Sequence, residues 1–120
     1  MTAIKTPTKE ELTSLRQKYD GFCMDAADEL LHRYGGVLLY VECPGQKTFS
    51  IPISGDDYWC YHAAVLIDRR VYDPWTDGAF TLKNYLAEVF GTMVVTVTMD
   101  TVDVYTGPAH QFRRTQKETT

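Results

Sequence analysis

The chain reads as a single α+β domain, and three observations say so. Two helical segments come first, strand-type runs dominate the rest, and one further helix interrupts them, so the element types are segregated rather than alternating. Two neighbouring strand runs are joined by only Asp68-Arg69, a connection short enough for an antiparallel hairpin and too short for a parallel crossover. The 120 residues amount to 13.7 kDa, and a chain of this size can bury about two thirds of its unfolded surface, enough for one core.

The elements follow in order. Thr8 and Glu11 form a capping box before a stripe of Leu12, Leu15 and Tyr19, and Asp20-Gly21 closes that helix. A second helix is expected from about Phe22 to Tyr34, its apolar positions Cys23, Ala26, Ala27, Leu30, Leu31 and Tyr34 recurring at three and four, with Gly35-Gly36 as the stop. The small residues at its start allow close packing on a sheet. Val37–Val41 is a β-rich run that ends before Pro44-Gly45. Residues 45–57 read as a loop with room for one short extended piece. Trp59 to Ile67 reads as one strand, paired through the hairpin with Val71-Tyr72-Asp73, and Pro74 ends regular pairing there. Thr81 caps a helix over 82–90 that Gly91 closes. Met93–Met99 and Thr101–Tyr105 form a last strand pair. The organisation expected is a flexible segment 1–11, a domain over 12–106 and a polar tail over 107–120.

Composition excludes several classes. Twelve Lys+Arg against sixteen Asp+Glu leave a net charge of −4, and the basic runs Arg69-Arg70 and Arg113-Arg114 are too short for a nucleic-acid surface. No apolar stretch approaches the roughly 18 residues of a membrane span. Met1–Glu11 is polar with no secretory core, so the expectation is a chain that starts in the cytosol or travels by a route that leaves no signal in it. Three cysteines are too few for a disulfide framework, and no C-x-x-C pair suggests zinc; no metal and no cofactor are expected.

Chemistry concentrates on three residues. Cys23 opens a helix, where terminal amides and the macrodipole stabilise a thiolate; the plainer reading is a small core residue. His62 lies in an apolar strand, where an imidazole must find a polar partner. In a hairpin turning at Asp68-Arg69, Ile67 faces Arg70 and the register carries Asp73 opposite Ala64, which shares a sheet face with His62. His62 and Asp73 are then diagonal neighbours, about 7 Å apart by backbone and within side-chain reach. A carboxylate there fixes the imidazole tautomer and stabilises its charged form; the plainer reading of Asp73 is an Asp-Pro turn. If Asp73 keeps partial contact with solvent near Pro74, its replacement by Asn changes stability little. Cys60 shares the face of His62 but lacks a helix N-terminus, Cys43 precedes a Pro-Gly turn, and His32 and His110 read as surface residues. Trp59 and Trp75 are candidates to line a substrate groove, or core aromatics flanking a strand.

The segments Asp20-Gly21-Phe22-Cys23, Tyr61-His62-Ala63-Ala64-Val65 and Val71-Tyr72-Asp73-Pro74-Trp75 resemble the three catalytic blocks of the papain-like and transglutaminase-like cysteine hydrolases, over roughly residues 12–100. The compact size and the helix after the Tyr-Asp-Pro strand are most similar to the small bacterial papain-fold toxin domains. The resemblance implies a papain-like fold, with Cys23 as nucleophile, His62 as general base and acid, and Asp73 as orienting carboxylate. It implies an oxyanion role for Gln17, six residues before Cys23; the plainer reading is a solvated glutamine. Asp73 stands where papain itself uses Asn, which favours the transglutaminase-like branch. A protein substrate and a cognate immunity protein are the partners implied, with delivery as part of a larger effector. Protease, deamidase and transglutaminase share this machinery. A non-catalytic binding module acting through its aromatic surface is the competing class.

Overall fold

The computed structural model describes residues 5–20, 22–45, 49–50, 58–59, 61–76 and 79–113. Helices α1 (Lys9–Lys18) and α2 (Cys23–Tyr34) lead into β1 (Val37–Glu42). The short strands β2 (Phe49–Ser50) and β3 (Tyr58–Trp59) pair with each other. Then come β4 (His62–Ile67), β5 (Arg70–Tyr72), β6 (Ala79–Phe80), α3 (Leu82–Phe90), β7 (Val94–Met99) and β8 (Val102–Pro108). The main sheet has six strands in the order β6-β5-β4-β1-β7-β8, antiparallel throughout. The run expected as one strand from Trp59 is split: β3 and β4 belong to different sheets.

Cross-strand pairing sorts the side chains into two faces. His62, Ala64 and Leu66 of β4 lie beside Val41, Leu39 and Val37 of β1. Val97 of β7 continues this face beyond Val41. Here α3 supplies Leu82, Tyr85, Leu86, Val89 and Phe90, all buried and spaced as one helical stripe. Helix α2 packs on β4 and β1 with Ala26, Ala27 and Leu30, each fully buried. The small side chains let it approach closely, as its sequence suggests. On the other face, towards β8, hydroxyls take over: Thr96 meets Thr106 at 3.1 Å, and Thr98 donates to Asp103 at 2.9 Å. The wetting is confined to that edge: in the central strand β4 both faces are buried, Ala63, Val65 and Ile67 as deeply as His62, Ala64 and Leu66.

Three turns hold the frame. Gly36, between α2 and β1, has φ +99°, and a Cβ there would lie 2.5 Å from the Leu66 carbonyl oxygen. Only glycine lets the chain pass β4 this closely. Asp68 and Arg69 both take left-handed φ (50° and 68°), as do Asp100 and Thr101 (49° and 69°). Both pairs therefore make the two-residue hairpin turn whose twist matches the strands, although neither contains glycine.

The ends differ from expectation. Helix α1 begins inside the segment expected to be flexible, with the Thr8/Glu11 capping box formed in both directions. At the other end, β8 runs to Pro108 and a 3-10 turn follows over Ala109–Gln111. Ala109 and Phe112 are buried, and Phe112 packs edge-on against Tyr105 at 5.3 Å. The Ala109 and His110 amides donate to the carbonyls of Met93 and Gly91, both at 2.8 Å. The folded unit thus extends past 106 to about 113, because one aromatic in a polar stretch closes the end of the core. Among the described residues no helix is long and apolar enough to cross a membrane.

Candidate active site

The hairpin builds the site. The register of β4 and β5 pairs Val65 with Tyr72, Leu66 with Val71 and Ile67 with Arg70, as the two-residue turn requires. Asp73 follows directly, on the face of His62. His62 Nε2 lies 2.6 Å from Asp73 Oδ2, and both side chains are buried, at 1% and 0% exposure.

Asp73 serves two purposes through its two oxygens. Oδ1 accepts the Trp75 backbone N–H at 2.9 Å, and the Asp73 carbonyl accepts the Thr76 N–H at 3.1 Å. With Pro74 between, this is a tight turn in which the carboxylate braces its own backbone. Oδ2 is left to face the core, where His62 and the Tyr85 hydroxyl, also at 2.6 Å, converge on it. The turn reading and the histidine-partner reading of Asp73 are therefore both correct. The condition under which its replacement by Asn would change stability little is not met: Asp73 is fully buried.

The electrostatics follow from that burial. Desolvation alone would raise the Asp73 pKa, but the His62 charge and the hydrogen bonds from His62, Tyr85 and the Trp75 amide outweigh it and hold the carboxyl below its ordinary range. Burial would depress His62; the charge and hydrogen bond of Asp73, with smaller contributions of the same kind from Cys23, overcome it and push the imidazole up to about 9. The Tyr85 hydroxyl is pushed well above its usual value, first by burial and then by the neighbouring carboxylate.

Cys23 is the first residue of α2, 3% exposed. Its Sγ sits 4.0 Å from the carbonyl oxygen of Tyr61, against the start of β4, close enough to His62 to favour the charged imidazole. Because Nε2 is committed to Asp73, Nδ1 is the ring nitrogen left for the thiol. The imidazole is thus turned over relative to the serine triad, in which Nδ1 meets the carboxylate. Aromatic rings wall it in: Trp75 lies edge-on at 6.3 Å and Phe90 at 6.2 Å.

The structure brings Cys23, His62 and Asp73 together. Trp75 joins them, 2% exposed, as a wall against the imidazole rather than as an exposed groove residue. Trp59 lies in β3, paired with Phe49, and its side chain falls outside the described residues. Cys60 is likewise outside them. Gln17 is exposed and lines a surface groove with Thr13, Arg16 and Asp20, which none of Cys23, His62 and Asp73 lines. It sits two positions from the buried Leu15, about 200° around a helix, so its side chain leaves on the outward face. Cys43 is buried, and burial pushes its thiol up. Among the described residues no group of three His, Cys, Asp or Glu side chains is arranged for a metal.

Tyr85 is the member that sequence reasoning missed. Its position on the buried stripe of α3 marks it as core, and a buried tyrosine needs a partner for its hydroxyl; that requirement was the available signal. No family model, curated protein or solved structure matches the chain.

Proposed function

We propose that this domain is a papain-like cysteine hydrolase that cleaves an amide of a protein substrate. One observation carries the reading: a thiol at a helix start lies near an imidazole whose Nε2 is held by a buried carboxylate. With its pKa at about 9, His62 is an imidazolium at neutral pH, the partner a thiolate needs.

The chemistry balances on these residues. The Cys23 thiolate attacks the amide carbonyl carbon, forming an S–C bond and a tetrahedral oxyanion. First-turn amides of α2 support this reading as oxyanion donors, since Phe22 at the cap position has no side-chain hydrogen bond to occupy them. Collapse breaks the C–N bond while His62 gives its proton to the departing nitrogen, leaving a thioester. Water then attacks; His62 takes its proton, the C–S bond breaks and the thiolate returns. A main-chain amide makes this a peptidase, a glutamine side chain a deamidase, and an amine in place of water a transglutaminase. The resemblance of its three short blocks to the small papain-fold toxin domains supports a role as the warhead of a larger bacterial toxin.

Cys23→Ala tests the reading. Wild type should release new N-termini or ammonia from protein substrates, and its Cys23 should react with iodoacetamide at neutral pH much faster than Cys43. The variant should do neither while keeping its melting temperature within a few degrees. Equal turnover by both proteins removes Cys23 from the chemistry.

A further inference from the structure

We infer that Tyr85 is a positioning residue for this site, acting on His62 through Asp73. The inference rests on the cysteine-hydrolase reading for its purpose, but not for its geometry. Asp73 Oδ2 is shared: His62 Nε2 and the Tyr85 hydroxyl both lie 2.6 Å from it. The Trp75 amide holds Oδ1 at 2.9 Å. Three donors on two oxygens fix the carboxylate plane, and with it the plane of the imidazole and the direction in which Nδ1 points. Tyr85 is fully buried on α3, an element separate from those that carry Cys23, His62 and Asp73. It ties helix α3 to the hairpin at the point where aim matters. Its ring is itself held edge-on by Phe90 at 6.0 Å, and Phe90 also packs on His62.

The hydroxyl does a second thing. A donor on Oδ2 takes up part of the carboxylate's charge, so that Asp73 holds the imidazolium less tightly than an unshared carboxylate would. A general acid must release its proton to the leaving group, here from Nδ1, and a carboxylate on Nε2 that stabilises the imidazolium too strongly slows the step. The titratable groups that face His62 are Asp73 beyond β5, Cys23 on α2 and, through Asp73, Tyr85 on α3; Trp75 and Phe90 supply apolar walls.

The test reads the His62 titration directly, by NMR of the ring signals in the full chain. Tyr85→Phe removes only the hydroxyl and should raise the His62 midpoint by about 0.5–1 unit, since the carboxylate then serves one imidazole alone. Placing 3-fluorotyrosine at position 85 strengthens the donor in a side chain of nearly the same shape and should lower the midpoint. This second arm holds even if Tyr85→Phe does not fold. In the Asp73→Asn background the Tyr85→Phe shift should vanish, because the effect runs through the charge of Asp73. A midpoint that does not move, or moves the same way in both variants, overturns the role of Tyr85. A moved midpoint with a slowly alkylating Cys23 upholds Tyr85 and fails only the hydrolase reading. An unmoved midpoint with a fast Cys23 does the reverse.

Discussion

Two carboxylate networks in this molecule use the same parts to opposite ends. One lies between α1 and α2: Glu11 accepts from the Tyr34 hydroxyl and from Arg33 Nη1 at 3.1 Å, while Glu29 accepts from Arg33, from Lys18 at 3.0 Å and from the Tyr19 hydroxyl at 2.6 Å. The other is Asp73 with His62 and Tyr85. Each joins a carboxylate to a tyrosine and a cation. The first meets solvent: the side chains of Glu11 and Arg33 are 29% and 43% exposed. The second is sealed under aromatic rings. Water screens the outer network and lets its members rearrange, so it fastens two helices weakly. In the inner network burial leaves a member that loses its partner nothing to replace it, so no member can be removed singly without leaving a polar group stranded. The outer network suits a fastening, and the inner one suits a device that must hold a single geometry.

The sharpest way to break this contrast is Asp73→Asn. It should lower turnover by about 10- to 1000-fold, roughly 1.4 to 4 kcal/mol in the barrier. Because the carboxylate is fully buried rather than partly solvated, the change should also destabilise the fold by about 3 kcal/mol or more. Turnover and denaturant unfolding of the same variant measure the two effects. Full activity would reduce Asp73 to a turn residue.

The pH dependence of stability sharpens it further. His62 has a folded pKa of about 9 against 6.5 unperturbed. Its contribution is therefore complete below pH 6.5 and is lost as pH rises through 9, on the order of 2 to 3 kcal/mol between pH 7 and 10. Asp73 is depressed, so its contribution is present above pH 3.8 and lost as pH falls below that. Glu11, depressed first by the Tyr34 hydrogen bond, and Glu29, depressed first by Tyr19, add to the acid side only. Unfolding free energy measured from pH 5 to 10 should fall on the alkaline side in wild type and flatten there in Asp73→Asn. An alkaline fall that survives in Asp73→Asn would place its origin outside the buried pair.

The smallest effect belongs to the outer network. Arg33→Ala should cost about 1 kcal/mol or less, and the cost should shrink in 1 M salt. The Asp73→Asn cost should not shrink in this way. Unfolding curves of both variants at two salt concentrations make the comparison; equal salt sensitivity would erase the distinction drawn between the networks.

Much of this was legible from local rules. The apolar periods of α1 and α2, the Thr8/Glu11 box, the Thr81 cap and the glycines at 35 and 91 are statements about neighbours in sequence, and the helices form where those statements put them. The β4–β5 register followed from a turn of two residues, because pairing outward from so short a turn leaves little freedom. That single fact brought His62 and Asp73 to one face. Gln17 shows the limit of an offset in sequence: on a regular helix the period decides which way a side chain leaves, and Leu12 and Leu15 had already claimed the inward face.

What the chain determined by itself, then, was the three helices, the central strands, the hairpin and the His62–Asp73 pairing. These depend on interactions within a few residues or across one tight turn. Tertiary structure alone decided that Asp73 would be buried, that Tyr85 would share its oxygen and that Phe112 would close the end of the core. Each of those outcomes requires segments distant in sequence to pack together. Burial, which converts a turn carboxylate into a strongly coupled partner, is a property of the packed whole and is not written in any local pattern.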